Sequence, residues 1–150
     1  MLIRPLADDP GQLELLAGWF HSEWHGFDHR SMEEVRAQLA ENLNRGAVPI
    51  TFLAYRGPEV VGAVSLDVSD LPSFDHLSPW LASLYVRPDA RGAGIGSALV
   101  QHVQRFALSR GLVPLHLWTP GSTELYERCG WVTAERATHR SRPITIMRFS

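Results

Sequence analysis

Residues 80–100 restrict this chain more tightly than any other stretch. Trp80-Leu81-Ala82-Ser83-Leu84-Tyr85-Val86 is a largely apolar run with aromatics and a β-branched residue, the length and make-up of a buried strand. Pro88 follows, lacks a backbone donor and helps end that strand. From Gly94 onward Ile95, Leu99, Val103 and Phe106 recur at helical spacing and predict a helix reaching about Arg110. Between the two lies Arg91-Gly92-Ala93-Gly94-Ile95-Gly96-Ser97, with Gly at every second position of 92–96. Glycines let backbone crowd a ligand without a Cβ in the way. The first N–H groups of a helix have no internal partner and carry partial positive charge. Strand, glycine turn and helix start together predict an anion site, suited to a phosphate or pyrophosphate.

Two familiar phosphate loops are excluded by their own chemistry. A P-loop places Lys and then Ser or Thr after its last Gly, whereas Gly96 is followed by Ser97 and Ala98. A dinucleotide fingerprint needs Gly-x-Gly-x-x-Gly, and the last slot holds Ser97 or Leu99 here.

The rest of the chain predicts one α/β domain over residues 1–150, long enough for a real core. Met1–Pro5 reads as a first strand. Asp9 is read as the N-cap of a helix with Pro10 at its first position, carrying Leu13, Leu16, Ala17, Phe20 and Trp24 and ending at Gly26. Ser31 and Glu34 fit a capping box for a second helix with Val35, Leu39 and Leu43, stopping near Arg45-Gly46. Strands are read at Pro49–Arg56 and Val60–Val68 as a hairpin, then at Val113–Thr119. Ser122 reads as the cap of a short helix over Thr123–Cys129, followed by strands Trp131–Ala137 and Pro143–Arg148. A net charge of −2 does not suggest nucleic acid or an anionic membrane as partner. With one cysteine, Cys129, no internal disulfide forms. No metal site is read, no run suits a membrane span or signal peptide, and the expected setting is cytoplasmic, as monomer or homodimer.

Arg91-Gly92-Ala93-Gly94-Ile95-Gly96 after a strand ending Leu-Tyr-Val-x-Pro resembles the pyrophosphate loop of the GNAT superfamily of N-acetyltransferases. A second anchor is Thr119-Pro120-Gly121-Ser122-Thr123-Glu124-Leu125-Tyr126-Glu127-Arg128-Cys129-Gly130-Trp131, similar to the family's Asn-x-x-Ala-x-x-Leu-Tyr-Glu-x-x-Gly-Phe. Thr119 replaces the Asn, Ser122 the Ala, and Trp131 the Phe. The element order over nearly the whole chain also matches. The resemblance implies a mixed, mostly antiparallel sheet of about six or seven strands flanked by about four helices, with central strands splayed near Leu84–Val86. It implies acetyl-CoA as co-substrate, held by backbone of Leu84, Tyr85 and Val86 and by Arg91, Gly92, Ala93, Gly94, Ile95, Gly96 and Ser97. Thr119 and Ser122 occupy further cofactor-contacting positions. The implied reaction is acetyl transfer to a primary amine of a small molecule or peptide by direct attack in a ternary complex.

Tyr126 is the candidate general acid, because a phenol is protonated at neutral pH and can serve a departing thiolate. Trp24, His25 and Trp80 are expected to wall the acceptor pocket. Counting back by twos from Val86 meets Leu84, Ala82 and Trp80, none ionisable, so no base is expected directly on that strand. Glu23, His25, Asp67, Asp70 and His76 are candidates acting through water. Cys129, at a helix C-terminus, is read as a packed thiol rather than a nucleophile. Two other readings stand beside the enzyme: an acyl-CoA-binding sensor module, and a domain binding peptides through its Trp and His cluster.

Overall fold

A computed structural model of the chain describes residues 1–150. Its elements run β1 (Leu2–Pro5), α1 (Leu13–Asp28), α2 (Met32–Glu41), β2 (Ile50–Arg56), β3 (Glu59–Asp67), β4 (Trp80–Val86), α3 (Ile95–Ser109), β5 (Leu115–Thr119), α4 (Glu124–Arg128), β6 (Val132–His139) and β7 (Arg142–Phe149). One seven-stranded sheet has the order β1-β2-β3-β4-β5-β7-β6. Every neighbouring pair is antiparallel except β4 and β5. This is the mostly antiparallel α/β sheet with four helices that the sequence predicts.

The alternation along β2 explains the layering. Ile50, Phe52 and Ala54 join the core under α3, with Leu99, Val103 and Phe106. Leu53 and Tyr55 point the other way, into a second core with Leu16 and Phe20 of α1 and Val35 and Leu39 of α2. Burying these apolar side chains, at about 1.5–3 kcal/mol each, sets both helical layers on the sheet.

Element ends differ from expectation where side chains find better partners. Asp9 does not cap α1; its carboxylate accepts the Tyr55 hydroxyl at 2.7 Å, and Pro10–Gln12 form a 3-10 turn before α1. Helix α1 runs through Gly26 to Asp28 and closes on His29 in the left-handed region, φ 57°. Helix α2 has the expected capping box, with Glu34 N–H donating to Ser31 Oγ at 3.1 Å and Ser31 N–H to Glu34 Oε1 at 3.0 Å. It stops at Glu41 because the buried Asn42 turns inward, which leaves Leu43 outside the helix and exposed. Thr123, not Ser122, stands at the start of α4, although Ser122 Oγ accepts the Glu124 N–H at 3.2 Å.

Strand β4 carries the feature that shapes the site. Ala63 pairs with Tyr85 but Ser65 pairs with Ala82, so β4 spends three steps where β3 spends two. The extra residue lies at Ser83, which has φ 54°. Such a bulge flips the side-chain alternation. Leu81, Leu84 and Val86 therefore all pack against the α3 core, while Tyr85 packs against the α1 and α2 core. Counting by twos across this point assigned Ala82 and Trp80 to the wrong face.

Candidate active site

Strands β4 and β5 are joined at one place only. Trp80 pairs with His116, whose N–H donates to the Pro79 carbonyl at 3.0 Å. Beyond that point the strands part, and Leu84, Tyr85 and Val86 have no strand partner on the β5 side. Backbone polar groups at such an opening are available to a ligand. The split opens a cleft of about 850 Å³. Ser83 and Leu84 of β4, Thr119 of β5 and Tyr126 of α4 lie on it. The ends of α1 and α2 and the β6–β7 turn close its other side.

The glycine loop follows the same strand. Gly92 and Gly94 have φ of +81° and +80°, a region that costs an L-residue about 1–2 kcal/mol. Gly96 is needed for packing instead: a Cβ there would sit 3.2 Å from Leu125 Cδ1 of α4. Arg91 Nε donates to the Val86 carbonyl at 2.9 Å, tying the loop to the end of β4. Gly94 caps α3 without a side-chain hydrogen bond, and the first turn of α3 holds no acid. The N–H groups of Ile95, Gly96 and Ser97 thus form an uncapped positive helix end, as a pyrophosphate requires.

Tyr126 lies half-buried on the cleft, its ring edge-on to Trp131 at 6.4 Å between centroids. Trp131 is held in turn by Gln104, which accepts its indole N–H at 2.8 Å and donates to the Cys129 carbonyl at 3.1 Å. Burial pushes the Tyr126 phenol above its usual range, so it carries its proton at neutral pH. Cys129 packs against the main core and does not line the cleft.

The pocket wall differs from expectation. Trp24 lines the cleft, its ring tilted against Phe20 and edge-on to Tyr85. His25 does not: it is exposed on α1, stacked on His21 at 4.5 Å, with Nδ1 2.7 Å from the His21 carbonyl. Trp80 does not either. It is 0% exposed, packs with Leu71, Ile144 and Ile146, and donates its indole N–H to the Leu77 carbonyl. Residues the sequence reading missed take their place. Phe27, Trp118 and His139 form a cluster on the wall, and Arg142 covers the Phe27 ring at 4.9 Å. His139 and Arg142 are carried there by the β6–β7 turn, whose Arg140 and Ser141 have positive φ. No local pattern announces such a long-range return.

The chain matches the model of the Acetyltransferase (GNAT) family over residues 13–131, and it belongs to that family. Thialysine N-epsilon-acetyltransferase of Bos taurus is 33% identical over 79 residues, 50% of this chain. The matched stretch spans 46% of that relative's length. Among solved structures, aminoglycoside 6'-acetyltransferase type Ii superposes with a TM-score of 0.76 at 21% identity, over 100% of this chain and 97% of that one. Ribosomal-protein-alanine N-acetyltransferase from Brucella melitensis gives 0.74 at 26% identity, over 99% of both chains.

Proposed function

We propose that this chain transfers the acetyl group of acetyl-CoA to a primary amine of a cationic acceptor, by direct attack in a ternary complex. One observation carries the reading: the β4–β5 split opens beside an uncapped glycine loop, and the cleft it forms has an acidic wall. Glu23, Asp28, Asp67, Asp70 and Asp75 line that cleft against Arg30, Arg140 and Arg142. Arg30 donates to the Glu34 carbonyl and to Gln38 Oε1 and Arg142 lies over the Phe27 ring, so five acids face three arginines and the wall favours a cation. The named relatives act, by their names, on thialysine, aminoglycosides and a ribosomal-protein alanine, all amine acceptors.

Acetyl-CoA supplies the activated acyl group. The helix end at Ile95–Ser97 and the loop from Arg91 hold its pyrophosphate, and Thr119 and Ser122 contact the cofactor from the segment after β5. Backbone N–H groups at Leu84–Val86 hold its arm and polarise the acyl carbonyl, a preorganised contact worth about 2.7–4 kcal/mol per donor in comparable sites. Tyr126 holds the proton for the leaving sulfur. The test is turnover with acetyl-CoA and spermidine, kanamycin or an alanine-initiated peptide, read as free thiol. Cys129→Ala retains near-normal rates if transfer is direct; ping-pong kinetics or acetyl on Cys129 overturns that. Coenzyme A binding without turnover of any amine assigns the sensor role instead.

A further inference from the structure

We infer that Asp70, backed by Asp67, receives the ammonium group of the acceptor and takes its proton as the new carbon–nitrogen bond forms. This rests on the transfer reading above. Asp67 ends β3 and is 5% exposed. Its Oδ1 accepts Asn42 Nδ2 at 2.8 Å; Asn42 also donates to Thr51, whose hydroxyl lies 2.7 Å from that of Ser65. This buried relay fixes Asp67 in the sheet. Asp70, three residues on, is held by its backbone, because its carbonyl accepts the Trp118 indole N–H at 3.2 Å. Both carboxylates line the cleft that holds Tyr126 and the β4 bulge. All five ion pairs of the chain use other acids, namely Asp8, Asp9, Glu14, Glu59 and Asp89. Although Arg30, Arg140 and Arg142 line the same cleft, neither carboxylate is in an ion pair, so buried Asp67 and half-buried Asp70 together form a receptor for a cation.

The same placement makes Asp70 a competent proton acceptor. Burial, then the neighbouring Asp67 charge, push its carboxyl up to about 8. Burial raises Asp67 to about 6 against the opposing pull of the Asn42 hydrogen bond. The Trp118 indole and then Arg30 pull Asp70 down and Asp28 adds repulsion, while Arg30 and Glu41 act on Asp67 with opposite signs. The two titrate as a pair. Proton transfer from an alkylammonium near 10.4 to an ordinary carboxylate is uphill by about six powers of ten, and to a group near 8 by about two. The balance is closed: the ammonium gives its first proton to Asp70, which frees the nitrogen lone pair to form the C–N bond; the C–S bond breaks, the sulfur takes the Tyr126 proton, and the second N–H proton returns through water to the Tyr126 phenolate. Water in the open cleft then carries the proton off Asp70, the one proton that the reaction releases.

The other candidates are placed less well. His76 lines a separate cavity with Phe74 and His116. Glu23 and Asp75 are exposed, and Asp28 accepts the Arg30 N–H at 2.9 Å. His139 is the rival within the cleft; burial and Arg140 hold it below its usual range.

The test is kcat/KM against pH for wild type, Asp70→Asn, Asp67→Asn and His139→Gln, with spermidine and kanamycin as acceptors. The coenzyme A thermal shift serves as the control for folding and loop binding. Wild type loses activity toward acid with a limb near pH 8. Asp70→Asn lowers kcat/KM by about 10²-fold and erases that limb with the coenzyme A shift intact. Asp67→Asn lowers the plateau less than Asp70→Asn does and moves the limb toward acid, because a neighbouring charge is gone. A rate and limb unchanged in folded Asp70→Asn, an unmoved limb in Asp67→Asn, or a limb lost only in His139→Gln overturns the inference and leaves the transfer reading standing. Wild type that binds coenzyme A but acetylates neither probe overturns both.

Discussion

Tyr126 is the residue whose contribution is easiest to isolate. Its ring packs against Trp131 and the main core, so phenylalanine keeps the packing and removes only the proton. Tyr126→Phe is expected to lower kcat and kcat/KM together by about 10²-fold, as loss of an interaction made in the transition state does. Coenzyme A affinity should hardly move, because the loop at 91–97 lies on another element. The loss should shrink with a thioester whose leaving thiol has a lower pKa and needs less protonation. Steady-state kinetics with two such thioesters check this; an unchanged kcat in the folded variant assigns proton delivery to solvent. Asp70 complements it, so that one half-buried group gives a proton and another takes one.

At the scale of elements, the glycine loop and the bulged strand divide the work of holding and opening. Gly94 has open space around its missing Cβ, so the strain of φ +80° is what forbids a side chain. Gly94→Ala should therefore fold, at a cost of about 1–2 kcal/mol. Gly94→Glu adds a carboxylate at the positive end of α3 and should abolish the rise in melting temperature that coenzyme A gives the wild type. A shift that survives in Gly94→Glu would move the pyrophosphate elsewhere. The loop was legible in sequence because its signal is local: a strand, three glycines and a helix start within one stretch. The hairpin β2–β3 and the capping box of α2 were legible for the same reason. The face of β4 was not. A single extra residue at Ser83 reverses every parity argument beyond it, and no property of serine marks a bulge. Trp80 is core rather than pocket wall for another long-range reason, the cover of Leu71, Ile144 and Ile146, and His25 misses the pocket because the helix end lies two residues further on than Gly26.

At the scale of the molecule, the two parts of the sheet meet through one β4–β5 pairing and through the core beneath α3. That core takes Ile50, Phe52 and Leu66 from one part and Leu115, Leu117 and Met147 from the other. Packing on the α3 face thus lets the opposite face stay open and hold acids away from water. The arrangement carries a cost that a pH titration of stability can read. An unfolded Asp titrates near 3.9, whereas folded Asp67 and Asp70 titrate near about 6 and about 8. Between those limits the folded chain binds more protons than the unfolded one, so stability falls as pH rises, with the slope ending above about 8. Glu34 and Asp89, held low by Ser31 and Arg87, act with the opposite sign, but only toward the acid end of this window. Burial also holds His102, His116 and His139 below their usual range, which raises stability with pH up to about 6.5, so the melting temperature of the wild type should decline from about pH 7 to pH 8.5. Asp70→Asn should flatten that decline and melt higher than wild type at pH 8.5, at about 2–4 °C per kcal/mol released for a chain of this size. The variant would then be more stable and less active, as when a functional site stores destabilising charge. A flat wild-type profile, or an Asp70→Asn variant that melts lower at pH 8.5, would show that these carboxylates are not held up by burial and each other.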